Sequence, residues 1–281
     1  MTKPLMLGAV AYDPKVVTIW EGFKAWFAEH DFEFDFVLYS NYEAQVEGHF
    51  AGQYDVAWNS PLAWIQAERV AAERGRKAEA IAMRDTDQDL TSLIVVRADS
   101  DIQTLADLKG KTIGVGAGDS PQATLIPLNH LAESGLDIDK DVSIRRFDRL
   151  VGKHGDHIGG ERDAARALMQ NEVHAACMID GNHLLFSAEG TLPQGTTRVL
   201  AQTAPYDHCC FTVLDDAPKE TIDQFKSLLL SMSYEDPKVR PLLDLEGLKV
   251  WRDGRTSGFA QLNDACDRFN YLESFIKEMK N

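Results

Sequence analysis

The densest run of chemically capable side chains is Gly152-Lys153-His154-Gly155-Asp156-His157-Ile158-Gly159-Gly160-Glu161-Arg162-Asp163. Two histidines, a lysine and several carboxylates in one loop suit acid–base work, metal ligation or a charge-assisted contact to an anion. The spacing His154-x-x-His157, with Glu161 beyond it, matches no zinc signature, so the first reading is a ligand-contacting loop ahead of a helix. A second group is Tyr206-Asp207-His208-Cys209-Cys210-Phe211-Thr212. A thiol beside an imidazole is a nucleophile or a soft-metal ligand. Neighbours on a strand face opposite sides, so one of the two cysteines belongs to the core. A third group is Gly118-Asp119-Ser120-Pro121-Gln122-Ala123-Thr124, in which Ser120 reads as an N-cap and Pro121 as the first helical residue. The free amides of a helix start, with the macrodipole behind them, suit an anion.

These groups need elements to hold them. The apolar run 112–115 reads as a strand, so the third group is the loop of a strand–loop–helix unit. Upstream, 8–12 reads as a strand, and 15–30 as an amphipathic helix with Val16, Ile19, Trp20, Phe23 and Phe27 at helical spacing. Phe32, Phe34, Phe36 and Leu38 alternate as a second strand, 54–58 is a third, and Asn59-Ser60-Pro61 caps the next helix. Alternating strands and helices imply a parallel sheet with ligands beyond the carboxyl ends of its strands, where Tyr12, Asp13, Tyr42, Asn59 and Ser60 stand. Strands are expected at 80–83 and 91–96, the second carrying the chain to a first crossing at 97–100. Strands at 142–147 and 175–179 and a helix from 162 follow, then strands at 198–202 and 210–214 that return the chain. Helices at 218–231, 237–245 and 257–279 complete it. The expected fold class is α/β, two-lobed, each lobe a mixed sheet flanked by helices: 1–96 with 206–281, and 97–205, joined by two crossings.

At 281 residues and 44% hydrophobic, the chain can bury two cores. A net charge of −15 argues against nucleic acid or an anionic membrane surface as partner. No apolar stretch reaches spanning length, so no membrane insertion is expected. No basic segment followed by an apolar one precedes the first strand, which reads as cytoplasmic, or as periplasmic if a signal was removed. Cys177, Cys209, Cys210 and Cys266 lack framework spacing and read as reduced thiols.

The run Asp107-Leu108-Lys109-Gly110-Lys111, the strand after it, Ser120 and Pro127 resemble the second lobe of the phosphate/phosphite/phosphonate substrate-binding proteins of ABC importers. Similarity extends to Asn41-Tyr42-Glu43, to Gln53-Tyr54-Asp55-Val56-Ala57-Trp58-Asn59-Ser60-Pro61, to Asp163-Ala164-Ala165-Arg166-Ala167-Leu168 and to Glu172-Val173-His174-Ala175-Ala176. The resemblance implies a periplasmic-binding-protein-like fold that closes by a hinge on a small anionic or polar ligand, an ABC permease as partner, and no cofactor. It implies an oxyanion held by Ser120, Gln122 and Thr124, a donor from His154 or His157, and contacts from Tyr12, Tyr42, Asn59 and Ser60. The family's loop reads Ser-x-Ser-Gly, whereas here Asp119 precedes Ser120 and would repel a dianion. The alternative is a cytoplasmic enzyme on the same fold, with His154, Asp156, His157, Glu161, His208 and Cys209 as transition-metal ligands or acid–base and nucleophilic groups. His208-Cys209-Cys210-Phe211 is similar to the His/Cys-rich motif of the thiamin-pyrimidine synthases, which supports that reading.

Overall fold

The computed structural model describes residues 3–148, 150–151, 154–155 and 157–273, with backbone alone at 150, 151, 154, 155 and 157. The chain runs β1 (Leu5–Val10), α1 (Lys15–Ala28), β2 (Phe34–Tyr39), α2 (Tyr42–Phe50), β3 (Val56–Asn59), α3 (Pro61–Glu73) and β4 (Ala78–Arg84). There follow β5 (Ser92–Arg97), β6 (Thr112–Val115), α4 (Ile126–Glu133), β7 (Ser143–Arg146), β8 (Leu150–Val151), β9 (His154–Gly155), α5 (His157–Met169), β10 (Ala175–Ile179), α6 (Asp180–Ala188) and β11 (Thr197–Gln202). The last part contains β12 (Cys210–Leu214), α7 (Lys219–Ser231), α8 (Arg240–Glu246), β13 (Trp251–Asp253) and α9 (Ala260–Arg268). Two compact units result: one holds the chain up to Gln88, Asp207–Ala260 and the stretch from Leu272, the other Asp89–Tyr206 and Gln261–Tyr271.

The first unit is a sheet of order β13-β4-β12-β3-β1-β2. β1 runs parallel to β2 and β3, while β12 is antiparallel to β3 and β4. The carboxyl ends of β1 to β4 and the start of β12 therefore share one edge, where Cys210 lies opposite Asn59 and Trp251 opposite Arg84. Beneath it, rings of Trp20, Phe27, Trp58, Phe211, Phe225 and Trp251 fill the core. The Phe27 ring packs at a tilt, 4.9 Å from Phe34 and 5.4 Å from Phe225 between centroids, so packing of large rings carries much of this unit's stability.

The second unit has sheet order β11-β5-β10-β6-β7, with β6 parallel to β7 and β10, and β5 antiparallel to β10 and β11. One face packs on α4 through Leu108, Ile113, Val115, Leu128 and Leu131, the other on α5 and α6 through Val95, Ala164, Leu168, Met178 and Phe186. Here the carboxyl ends of β6, β7 and β10 meet the start of β5 and the end of β11.

Several elements differ from expectation. β5, expected to close the first lobe, lies inside the second unit's sheet, so the first boundary falls at 88/89 and not near Arg97. Leu93, Ile94, Val95 and Val96 are apolar on both faces and suit the centre of either sheet, and pairing with β10 and β11 places the strand in the second. Residues 261–271, expected with the first lobe, pack with the second, where Arg268 Nε donates to Asn129 Oδ1 at 2.6 Å. Trp251–Asp253, where no strand is expected, forms the edge strand β13. α5 begins at His157, five residues before the expected start, and the hairpin β8–β9 precedes it.

Near the second boundary a brace is built into the first unit. Fully buried Asp207 receives two bonds from Arg255, from Nε and Nη2, each 2.6 Å long. A Cβ on Gly258 would fall 2.1 Å from the Asp207 carboxylate, so only glycine lets the chain pass there.

Candidate functional site

On the second unit's edge, β6 ends in the loop 116–120, and Ser120 caps the turn Pro121–Leu125 that leads into α4. Ser120 Oγ accepts from Ala123 N at 3.2 Å, and its carbonyl accepts from both Thr124 N and Leu125 N, a wide turn of π type. Pro127, which has no N–H, stands within the same segment. Gly160 of α5 presses on the loop: a Cβ there would lie 2.5 Å from the Phe147 carbonyl and 3.4 Å from Ala117 N. The helix starts of α4 and α5 thus converge at the ends of β6 and β7.

The donors of this loop are largely committed. Gly118 N donates to Asp148 Oδ1 at 2.7 Å, Thr124 Oγ1 to the Ala117 carbonyl at 2.7 Å, and Gln122 Nε2 to Glu161 Oε1 at 3.3 Å. Ser120 uses its oxygen as an acceptor and retains its hydroxyl proton. Fully buried Glu161 also accepts from Ile179 N at 3.0 Å and Asn182 Nδ2 at 2.8 Å. Ser92 Oγ donates to the Gln122 carbonyl and lies 2.8 Å from Tyr206 Oη, and Thr91 Oγ1 donates to Asp180 Oδ2 at 2.8 Å. Gln122 therefore links the loop to both segments that border the unit, and Asp180 stands at the end of β10. His154 falls in β9 and His157 opens α5, but their side chains, and all of Asp156, lie outside the described residues.

On the first unit's edge, Tyr12 is exposed beyond β1, Tyr42 opens α2, and buried Asn59 ends β3. Asn59 Oδ1 accepts from Gln45 Nε2 at 2.7 Å, which leaves its Nδ2 with no partner among the described residues. Ser60 caps α3, its Oγ accepting from Ala63 N. Behind them is a charged hub. Arg84 donates through Nε and Nη2 to both oxygens of Asp87, and through Nη1 to the Glu246 carbonyl at 2.8 Å and to its Oε1 at 3.3 Å. Its guanidinium lies 5.2 Å over the Trp58 ring. Despite its burial, Asp87 is lowered to about 2 by Arg84 and by hydrogen bonds from His208 and Arg84. Glu246 is pushed up to about 7 by burial and by Asp87, against the pull of Arg84. Burial and neighbouring acidic groups push the phenol of Tyr42 up, so it remains an O–H donor.

His208, Cys209 and Asp87 bring one nitrogen, one sulfur and one oxygen within 4.8 Å of each other. The donor set nevertheless fits a metal poorly. Asp87 Oδ1 already accepts from Arg84 Nη2 and from Cys209 N at 3.2 Å, with His208 Nδ1 at 3.4 Å, and Arg84 Nε holds Oδ2. A fixed guanidinium stands where a cation would have to approach. Burial and the Asp87 charge also push the Cys209 thiol up, away from the thiolate a metal needs.

Residues 9–265 match the family model described as "ABC transporter, phosphonate, periplasmic substrate-binding protein". The chain belongs to that family. A solved structure of PhnD1 from Prochlorococcus marinus (MIT 9301) in complex with methylphosphonate is similar, with TM-score 0.67 and 17% identity over 95% of this chain and 98% of that one. XAC2383 from Xanthomonas citri bound to ATP has TM-score 0.66 and 16% identity over 99% and 98%. The binding protein component of an ABC phosphonate transporter (PA3383) from Pseudomonas aeruginosa has TM-score 0.57 and 15% identity over 99% and 97%. At these identities the structures carry the fold: an α/β, two-lobed, periplasmic-binding-protein-like chain. Substrate-binding proteins of this family bind ligands without cofactors.

Sequence reasoning missed Arg84, Asp87, Glu246, Asp148 and Asp180. Each is an ordinary charged residue at the end of an element, and only the strand order brings it to an edge. The run Arg84-Asp85-Thr86-Asp87 after an apolar strand was the one available signal.

Proposed function

We propose that this chain captures a small oxyanion of the phosphonate class for delivery to an ABC permease. The observation that carries the reading is Ser120, an N-cap at the carboxyl end of β6 in a family defined by phosphonate binding. Its hydroxyl proton, left available while Oγ accepts from Ala123 N, suits an oxyanion. On the first unit's own edge, the Tyr12 and Tyr42 hydroxyls and the Asn59 Nδ2, which has no partner among the described residues, are donors. Because Asp148 holds the Gly118 amide, a bound anion competes with an internal carboxylate, which favours a ligand of low charge over a full dianion.

Isothermal titration of methylphosphonate, phosphate, sulfate and ATP into the purified chain and its Ser120→Ala variant tests this. Saturable 1:1 binding of methylphosphonate that weakens at least tenfold in Ser120→Ala is expected. Unchanged affinity in the variant refutes the assignment of Ser120, and failure of methylphosphonate to bind refutes the ligand class.

A further inference from the structure

The second unit holds a cavity of about 460 Å³ that does not include Ser120. Its floor is apolar, formed by Leu125 and Leu128 of α4, Val142, Ile144 of β7, and Phe269 from the stretch after α9. Arg146 stands at the wall. Period-two geometry explains its position: Ile144 and Arg146 point to the same face of the edge strand, whereas Arg145 points to the other, where it pairs with Glu172 at 2.7 Å. Among the described residues Arg146 has no ion pair or hydrogen bond from its guanidinium, unlike Arg84, Arg97, Arg145, Arg162 and Arg255. Asp139 lies on the rim, and Gly118 and Thr124 present the back of the Ser120 loop to the same space.

We propose that this cavity is a second ligand site, taking a small monocarboxylate with an apolar or aromatic body. The Arg146 guanidinium, without a partner among the described residues, presents a planar fork of donors that matches one carboxylate. The apolar floor excludes a fully hydrated dianion, because stripping its water would go uncompensated. Asp139 adds repulsion against any further negative charge on the ligand. The volume lies within the range of small-molecule sites, and an apolar floor under a mostly polar wall of Gly118, Thr124, Asp139, Arg146 and Tyr271 suits a ligand with one apolar and one charged end. Because Gly118 and Thr124 form one wall, an occupant supports the loop from behind, at a place separate from the N-cap hydroxyl.

The site is independent of the phosphonate reading and is tested with different probes. Benzoate, benzyl alcohol and sulfate are titrated calorimetrically into the full chain and into Arg146→Gln, Ile138→Trp and Ser120→Ala, with thermal midpoints recorded for each. Arg146 is exposed and has no partner among the described residues, so its variant keeps the fold, and because Ile138 is partly buried against the core the thermal midpoint of its variant shows whether the unit remains folded. Benzoate is expected to bind 1:1 in the native chain and in Ser120→Ala, to weaken at least tenfold in Arg146→Gln and to be lost in Ile138→Trp. Benzyl alcohol, which has the body without the charge, and sulfate, which has the charge without the body, are expected to bind at least tenfold more weakly. No saturable benzoate binding at millimolar concentration, binding equal in Arg146→Gln, or binding lost in Ser120→Ala would each overturn the proposal.

Discussion

Replacing Glu246 by glutamine makes the first unit more stable at alkaline pH while leaving it nearly unchanged at acid pH. Arg84 already spends its fork on Asp87, and its contact to Glu246 Oε1 is long, at 3.3 Å, so the second carboxylate is buried without full compensation. Its folded value is about 7, against an ordinary value of 4.5. Because the folded value is the higher one, the native state prefers the protonated acid. The stability Glu246 confers is therefore complete below pH 4.5, declines as the unfolded chain ionises, and is fully lost once pH passes 7. A displacement of roughly 2.5 pH units (7 − 4.5) at 1.36 kcal/mol per unit makes the loss about 3 kcal/mol. Glutamine keeps an acceptor for Arg84 and does not ionise. The five tryptophans, Trp20, Trp26, Trp58, Trp64 and Trp251, all lie in the first unit, so urea denaturation followed by tryptophan fluorescence reads this unit alone. Curves at pH 4.5, 6, 7 and 8 should show the variant level with the native chain at pH 4.5 and more stable by about 3 kcal/mol at pH 8. A difference that does not change with pH, or a variant that is weaker at pH 8, would mean that Glu246 is ionised and held by Arg84, and would refute the reasoning.

Three further outcomes follow from the geometry. Asp148→Ala frees the Gly118 amide and removes a negative charge from the loop, so methylphosphonate affinity should rise about tenfold at low salt; a fall would show that Asp148 shapes the loop instead of competing for it. Gly160→Ala forces its Cβ against the Phe147 carbonyl at 2.5 Å, so α5 must lift from the loop, with a loss of about 1–3 kcal/mol in the second unit, read by amide hydrogen exchange of β6 and β7. All four cysteines are buried, and burial pushes the Cys177 and Cys210 thiols up to about 12, so an aromatic disulfide reagent at pH 8 should leave the native chain unlabelled and label four thiols in urea.

Much of the fold was legible because it depends on local patterns. Alternation at Phe32 to Leu38 and helical spacing from Val16 to Phe27 each follow from one buried face, and the turn–strand–loop–helix around Ser120 is written in adjacent residues. Asn59, Ser60 and Ser120 could be placed at strand ends for the same reason, since a cap and the proline after it mark a boundary wherever the helix later packs. The place of β5 was not legible: an apolar strand fits the centre of either sheet, and only pairing with β10 and β11 decides which. Nor was the buried state of His49 on α2, which stacks on Tyr54 at 4.7 Å.

What the sequence determined by itself, then, is the type and order of the elements, the family and the residues at strand ends, because these rest on interactions a few positions apart. The tertiary structure decided which donors remain available. Asp148 reaches Gly118 across thirty residues, Arg84 reaches Glu246 across 162, and Gln122 reaches Glu161 across 39. No spacing rule forecasts such pairings, because a buried polar group takes whichever partner the packing of distant elements brings within about 3 Å.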